Sequence, residues 1–225
     1  MAPSMDVSLL PSLLEITGRS LLVSVSAVVI AAALGIPLGA WLAITAFRGR
    51  GAAIAVLNAF MGLPPVVVGL VFYLLLSRSG PLGVLELLFT PWAMILAQVV
   101  IVLPLISSIA HQALRTLWEE YRDLLRSLGA SKRQVLVILV RDGRRALLTA
   151  ALAGFGRAIG EVGAILIVGG NIDHLTRVLT TAITLETSKG NLGYAVALGA
   201  VLVGISLVVS AALHTLTRAE SERAA

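Results

Sequence analysis

Four stretches free of Asp, Glu, Lys and Arg, namely Ser20–Phe47, Gly51–Ser77, Leu87–Leu114 and Gly190–Thr217, each run 27 or 28 residues. A helix that crosses a bilayer needs about 20 apolar residues. A fifth stretch, Ala146–Ile172, has the same reach but carries Arg157 and Glu161. The chain is 58% hydrophobic and 13% charged, whereas soluble domains are roughly 25% charged. The alternative, a soluble protein of buried helices, does not explain runs of this length. The expected fold is all-α and integral to a membrane. One transmembrane domain over 1–225 has spans near 20–46, 53–77, 91–113, 146–170 and 191–216.

The net charge of +5 and pI near 10.4 do not imply nucleic-acid binding, because no soluble domain is left to carry a basic face. The basic residues instead report topology, since Lys and Arg accumulate on the cytoplasmic side. With the N-terminus outside and the C-terminus in the cytoplasm, twelve basic residues fall inside: Arg48, Arg50, eight between Arg115 and Arg145, and two in the tail Arg218–Ala225. Four fall outside: Arg19, Arg78, Arg177 and Lys189. Asp6 and Glu15 give the N-terminal residues no cytoplasmic anchor, and no cleavable signal peptide is expected. Pro11-Ser12 followed by Glu15 reads as a helix start in a short interfacial turn ahead of the first span. The absence of cysteine excludes disulfides and thiolate metal sites, and three scattered histidines form no ligand cluster.

Within the spans, Gly35-Ile-Pro-Leu-Gly39 combines a proline kink with small residues spaced for close helix approach. Gly62-Leu-Pro-Pro65 breaks the second span; such breaks line pathways or serve as plain kinks. Asn58, Gln98, Ser107 and Ser108 either face a pathway or cross-link helices. Arg157 and Glu161 are spaced to share a helix face and pair, and charge at this depth is costly. That pair either fixes packing or helps gate an anion route. The link before the last span carries Asn171, Thr176, Thr180, Thr181, Thr184 and Ser188. These receive a solute or cap a re-entrant turn that Gly169-Gly170 permits. The possible pathway set is therefore Asn58, Pro64, Pro65, Ser107, Ser108, Thr180, Thr181 and Thr184.

One long segment is different. Glu119–Arg145 holds eleven charged residues between two groups of greasy spans. Leu124, Leu125, Leu128, Val135, Leu136 and Leu139 recur at helical spacing, with Arg122, Asp123, Arg126, Lys132 and Arg133 between them. Gly129-Ala130-Ser131 suits a helix stop followed by a new N-cap. Two short helices are expected to meet there, the first amphipathic and exposed. Its apolar face can lie in a partner's groove or on lipid.

Asp123-Leu-Leu-Arg-Ser-Leu-Gly129-Ala-Ser resembles the cytoplasmic "EAA" loop of ABC-importer permeases, with Asp123 where Glu is usual and Leu124-Leu125 in place of two alanines. Gly154-Phe-Gly-Arg-Ala-Ile-Gly-Glu-Val-Gly163-Ala resembles the segment that follows the loop in permeases for molybdate, tungstate and sulfate. The stretches Ile167–Ile172, Thr176–Ile183 and Leu185–Gly190 are similar to the tungstate branch. The resemblance implies a type I ABC importer permease of the cell membrane, the inner membrane if the source is Gram-negative. It implies that Arg122, Asp123, Leu124, Leu125, Leu128, Gly129, Ala130 and Ser131 couple to a separate ATPase subunit. Further implied partners are an extracytoplasmic oxyanion-binding protein and a second copy of the chain. No Gly-x-x-x-x-Gly-Lys-[Ser/Thr] phosphate cradle occurs here, so ATP and Mg belong to the partner and this chain holds no cofactor. The implied substrate is an oxyanion, tungstate ahead of molybdate or sulfate. Two other classes are open: a self-powered secondary transporter, which would work without an ATPase, and a membrane enzyme, for which the spans supply no nucleophile or carboxylate pair.

Overall fold

A computed structural model describes residues 9–224. Asp6 and the side chains of the tail Arg218–Ala225, both weighed above for topology, lie outside the described residues. The elements are α1 (Leu9–Ile44), α2 (Arg50–Met61), α3 (Pro65–Leu76), a 3-10 turn (Gly83–Leu85), α4 (Pro91–Ser127), α5 (Lys132–Asp142), α6 (Arg144–Ile159), α7 (Gly163–Gly169), α8 (Leu179–Ser188) and α9 (Leu192–Ala224). No strand occurs among the described residues. Helices α1, α4 and α9 are each long and apolar enough to cross a membrane; the pairs α2–α3 and α6–α7, bent by 96° and 62°, are each a broken span or a re-entrant loop, so the described residues hold three to five spans.

Three expectations about boundaries are corrected. Pro11 and Ser12 form no separate interfacial turn, because α1 takes them in and runs on through Pro37. The helix of the third span does not stop near 113. It accommodates Pro104 and continues as a single helix of 37 residues to Ser127, because no Gly or Pro falls between Leu114 and Ser127 and Leu114, Trp118 and Leu125 keep one buried stripe. The fourth span is not one helix, since α6 stops at Ile159 and α7 restarts at Gly163. The expected break at Gly62–Pro65 is present: the Gly62 N–H closes onto Ala59 O, and Pro65 opens α3. Proline disfavours helix in the residue before it, and Pro64 is extended (φ −63°, ψ 122°).

The chain packs as two compact units. One comprises the chain up to Ser26 together with Pro64–Gln98 and Ile159–Val208. Its core joins Ile16, Leu179, Ala182 and Leu198, and α3 meets α7 where a Cβ on Gly69 would lie 2.7 Å from Ala164 Cα. The other comprises Ala27–Leu63, Val99–Ala158 and the chain from Val209. Its core runs from Ala40 and Ala43 through Ala110, Leu114 and Trp118 to Leu125, Val135, Leu139 and Leu147. Here α1 and α4 touch backbone to backbone, as the Gly35/Gly39 spacing predicts. A Cβ on Gly39 would lie 2.6 Å from Ser107 O, and one on Gly35 2.8 Å from Ser107 Oγ. The last turn of α1 is closed by two guanidinium groups: Arg50 Nε donates to Leu42 O (2.8 Å) and Arg115 Nη1 to Ala43 O (3.2 Å). Cations at a helix C-terminus also oppose its dipole.

Candidate coupling elbow and polar interior

The elbow between α4 and α5 is built from local chemistry. Gly129 has φ +67°, the left-handed region that closes many helices. Its N–H reaches Arg126 O (3.0 Å), and the Ala130 N–H reaches Leu125 O (3.0 Å), the two bonds of a Schellman motif. Ser131 then opens α5 with a capping box: its Oγ accepts from Gln134 N (3.4 Å), and its own N–H donates to Gln134 Oε1 (2.8 Å). Stop and restart both fall where the Gly-Ala-Ser triplet puts them. Leu125, Val135 and Leu139 anchor the elbow to the core of their unit. By contrast, Leu124 and Leu128 stand 60% and 71% exposed. Arg122 and Asp123 are paired at 3.2 Å on the outer face, and Arg126 lies 5.9 Å from the Trp118 ring. Leu125, Leu128, Gly129, Ala130, Arg133 and Gln134 line a cleft of about 470 Å³ at the bend. The elbow thus presents two bare leucines and a charged flank on a fixed backbone.

Three candidate polar residues of the same unit sit on facing helices. Ser107 is fully buried against Gly35 and Gly39 in the α1–α4 seam. Ser108 Oγ donates to Asn58 Oδ1 at 2.7 Å and so ties α4 to α2, while the rest of Asn58 is exposed. Arg157 lies half-buried in the last turn of α6.

In the other unit, Pro64 is exposed and Pro65 half-buried at the start of α3. Glu161 is 4% exposed and sits beyond the end of α6, not within it. The reason is visible around it. Glu161 Oε1 accepts from Ala164 N (3.3 Å) in the first turn of α7, and the Glu161 carbonyl accepts from Thr180 Oγ1 (2.8 Å) instead of continuing a helix. Thr181 Oγ1 accepts from Val178 N, Thr184 Oγ1 donates to Thr180 O, and Ser188 Oγ donates to Leu185 O. Thr176 Oγ1 donates to Gly169 O (2.5 Å) and accepts from Ile172 N (2.9 Å), across a turn in which Gly170 has φ +69°. Asn171 Nδ2 donates to Thr181 O. Several hydroxyls of this link hydrogen-bond to the backbone of the turn and of α8.

Sequence reasoning missed one cluster. Arg19 of α1 donates to Glu15 (2.7 Å) and to the carbonyl of His174 (2.7 Å), and His174 Nδ1 lies 2.9 Å from Glu15. Ser20 Oγ accepts from Leu179 N (2.7 Å), which caps α8 from a distant part of the chain. Arg19 and Glu15 are a local i, i+4 pair, but no local signal marks the bonds of His174 and Leu179, which join residues 155 to 159 positions apart. Among the described residues, no group of three His, Cys, Asp or Glu side chains is placed to hold a metal.

Residues 35–220 match the family described as binding-protein-dependent transport system inner membrane component. The chain belongs to that family. Its members are transport subunits of ABC systems. This family member is 46% identical over 204 residues to a probable anion ABC transporter permease protein of Haloferax volcanii, with 88% of each chain covered. It is 42% identical over 210 residues to the tungstate uptake system permease protein TupB of Peptoclostridium acidaminophilum, covering 93% of this chain and 92% of that one. Its fold is similar to that of the MetNI methionine ABC transporter in an inward-facing conformation, with a TM-score of 0.72 over 97% of this chain and 99% of the other. At 19% identity that likeness speaks for the fold alone. The fold is that of a type I ABC importer permease, and the chain is a multi-pass membrane protein.

Proposed function

We propose that the chain is the permease subunit of an ATP-driven importer that carries an oxyanion, tungstate ahead of molybdate or sulfate, into the cytoplasm. The observation that carries this reading is the rigid α4–α5 elbow. An amphipathic helix end with bare Leu124 and Leu128, held by a Schellman turn and a capping box, fits a groove on a soluble ATPase subunit. The anion and tungstate names of the relatives supply the substrate class. The chain would sit with its N-terminus outside and its C-terminus inside, so that the elbow is cytoplasmic, in agreement with the Lys and Arg bias.

Two copies of the chain enclose the pathway, and each elbow meets one ATPase. Closure of the ATPases on ATP and Mg draws the elbows together, and α4 passes that movement into the membrane as one unbroken lever. Rigid bodies then rock between inward-open and outward-open states, with the oxyanion delivered by an extracytoplasmic binding protein. This chain breaks no bond. It supplies the path and the lever.

The test is uptake of tungstate, molybdate and sulfate into cells expressing the chain with its ATPase and binding protein, each with and without an ATPase unable to hydrolyse ATP. Tungstate uptake lost with the inactive ATPase is the expected result. ATP-dependent uptake of another anion replaces the substrate, and uptake indifferent to the ATPase overturns the reading.

A further inference from the structure

Within the unit that contains the elbow, α1, α2 and α4 leave a groove of about 380 Å³. Leu38 and Trp41 of α1, Val56 and Phe60 of α2, and Leu103 and Pro104 of α4 line it. Its walls are almost entirely apolar, and α2 has no buried residue at all.

Beside the lining residue Leu42 the chemistry changes. Arg48 and Gly49 belong to the link between α1 and α2, and Arg50 opens α2. Arg50 is anchored beside the lining residue Leu42, its Nε on the Leu42 carbonyl (2.8 Å) and its Nη2 3.3 Å from His111 Nε2. These contacts engage two of its five N–H donors. Arg48 is exposed. Trp41, which lines the groove, stacks on Phe47 of the link with ring centroids 4.9 Å apart. Aromatic rings of this kind mark the level where hydrocarbon meets headgroups. An apolar trough, an aromatic pair anchored on its lining residue Trp41, a guanidinium on the carbonyl of its lining residue Leu42, and Arg48 next to Phe47 in the chain together offer what the tail and head of an amphiphile require.

We propose that this groove is a binding site for an anionic phospholipid, with one acyl chain lying against Val56 and Phe60 and the phosphate held by Arg48 and Arg50. Basic pockets between membrane helices hold anionic headgroups in this way, and planar guanidinium groups are suited to phosphate. A zwitterionic lipid offers the same tail without the net charge, so the site discriminates by headgroup. The inference needs only that the chain spans a membrane, and it stands apart from the substrate and the ATPase.

The test is native mass spectrometry of the full-length chain, released from detergent after titration with phosphatidylglycerol or with phosphatidylcholine of the same acyl chains. Preferential retention of phosphatidylglycerol is expected. Arg48→Gln weakens that retention about fivefold, the effect of one basic residue near an anionic surface, and leaves phosphatidylcholine binding unchanged. Val56→Trp, an exposed position where a larger ring is accommodated, fills the trough and lowers retention of both lipids. Equal retention of the two lipids by the unaltered chain overturns the proposal, as does retention indifferent to both substitutions. The chain has no cysteine, so Val56→Cys provides a clean control. Efficient disulfide formation between two copies at that position makes the groove a subunit interface and overturns the lipid assignment.

Discussion

The chain stops and restarts its helices at two instructive places, the elbow at Gly129–Ser131 and the break at Gly160–Val162, and it does so by opposite means. At the elbow every decisive bond is local: Gly129 to Arg126, Ala130 to Leu125, and Ser131 with Gln134. At the break the decisive partners come from elsewhere. Thr180 takes the Glu161 carbonyl, and Gly69 of α3 admits the backbone of Ala164. A junction made of local bonds keeps its shape whatever lies beside it, which suits a surface that a partner engages and releases. A junction held by tertiary contacts depends on its neighbours, which suits the interior of a packed unit.

Substitution at Gly129 gives the largest expected effect on transport. A Cβ there meets nothing within 4 Å, so the constraint is conformational and not steric. Gly129→Val must adopt φ +67°, at a cost of ~1–2 kcal/mol, and the elbow unwinds instead. ATP-driven uptake should fall roughly tenfold, while membrane insertion and thermal stability stay near those of the unaltered chain. Gly129→Asn, which tolerates the left-handed region, should retain most of the uptake. Equal uptake by Val and Gly variants would remove the conformational role of the elbow.

The break responds to a remote residue. Gly69→Val places a branched side chain where a single Cβ already lies 2.7 Å from Ala164 Cα and 3.1 Å from its carbonyl. Backbone must move apart, and overpacking of this kind costs ~1–3 kcal/mol. The expected result is a lower melting temperature in detergent for Gly69→Val. An unchanged melting temperature would show that α3 and α7 do not depend on close approach.

This contrast also explains what the sequence could and could not reveal. Helical class, apolar runs, the Gly35/Gly39 seam, the Gly62–Pro65 break and the Gly129–Ser131 elbow all follow from residues close together in the chain. The continuation of α4 to Ser127 was equally visible in the absence of any breaker after Pro104, but the charge at Arg115 that ends the apolar run suggested a boundary that helix geometry does not need. The break after Ile159 was hidden. Arg157 and Glu161 have helical spacing, and only Thr180, almost twenty residues on, diverts the Glu161 carbonyl. The candidate pathway hydroxyls were ambiguous for the same reason. Ser107, Ser108 and Thr181 carry no mark of whether they meet solvent or a neighbouring helix, and their surroundings are set by packing.

A smaller effect sharpens the local side of the comparison. Ser131→Ala removes the acceptor for Gln134 N and one half of the capping box. Loss of an N-cap costs ~1 kcal/mol. Because the Schellman bonds of Gly129 and Ala130 are untouched, α4 should keep its end while α5 frays at its first turn. Amide hydrogen exchange should rise at Lys132–Gln134 and stay unchanged at Leu124–Ser127. A rise on both sides would mean that stop and restart form one cooperative element.

The junction of α8 with α9 gives the smallest effect and a direct sign. Glu186 Oε1 accepts from Lys189 Nζ (2.8 Å) and Oε2 from Asn191 Nδ2 (3.0 Å), on either side of Gly190 with φ +78°. The Lys189 hydrogen bond, then that of Asn191, holds the Glu186 carboxyl below its ordinary value of 4.5, and these outweigh the opposing effect of burial. A carboxylate whose folded pKa is depressed adds stability that is complete above the unfolded value and is lost as pH falls through the folded one. Stability should therefore be level between pH 7 and about 5 as far as this group is concerned, and should decline below the ordinary carboxylate range. Lys189→Met removes the leading cause, so the gap in melting temperature between variant and unaltered chain should be present at pH 6 and shrink toward pH 3. For an ion pair whose lysine is exposed the gap corresponds to about 1 kcal/mol or less. A gap that persists unchanged at low pH would mean that Lys189 acts through its aliphatic stem, and that this junction, like the break at Gly160–Val162, is held by packing.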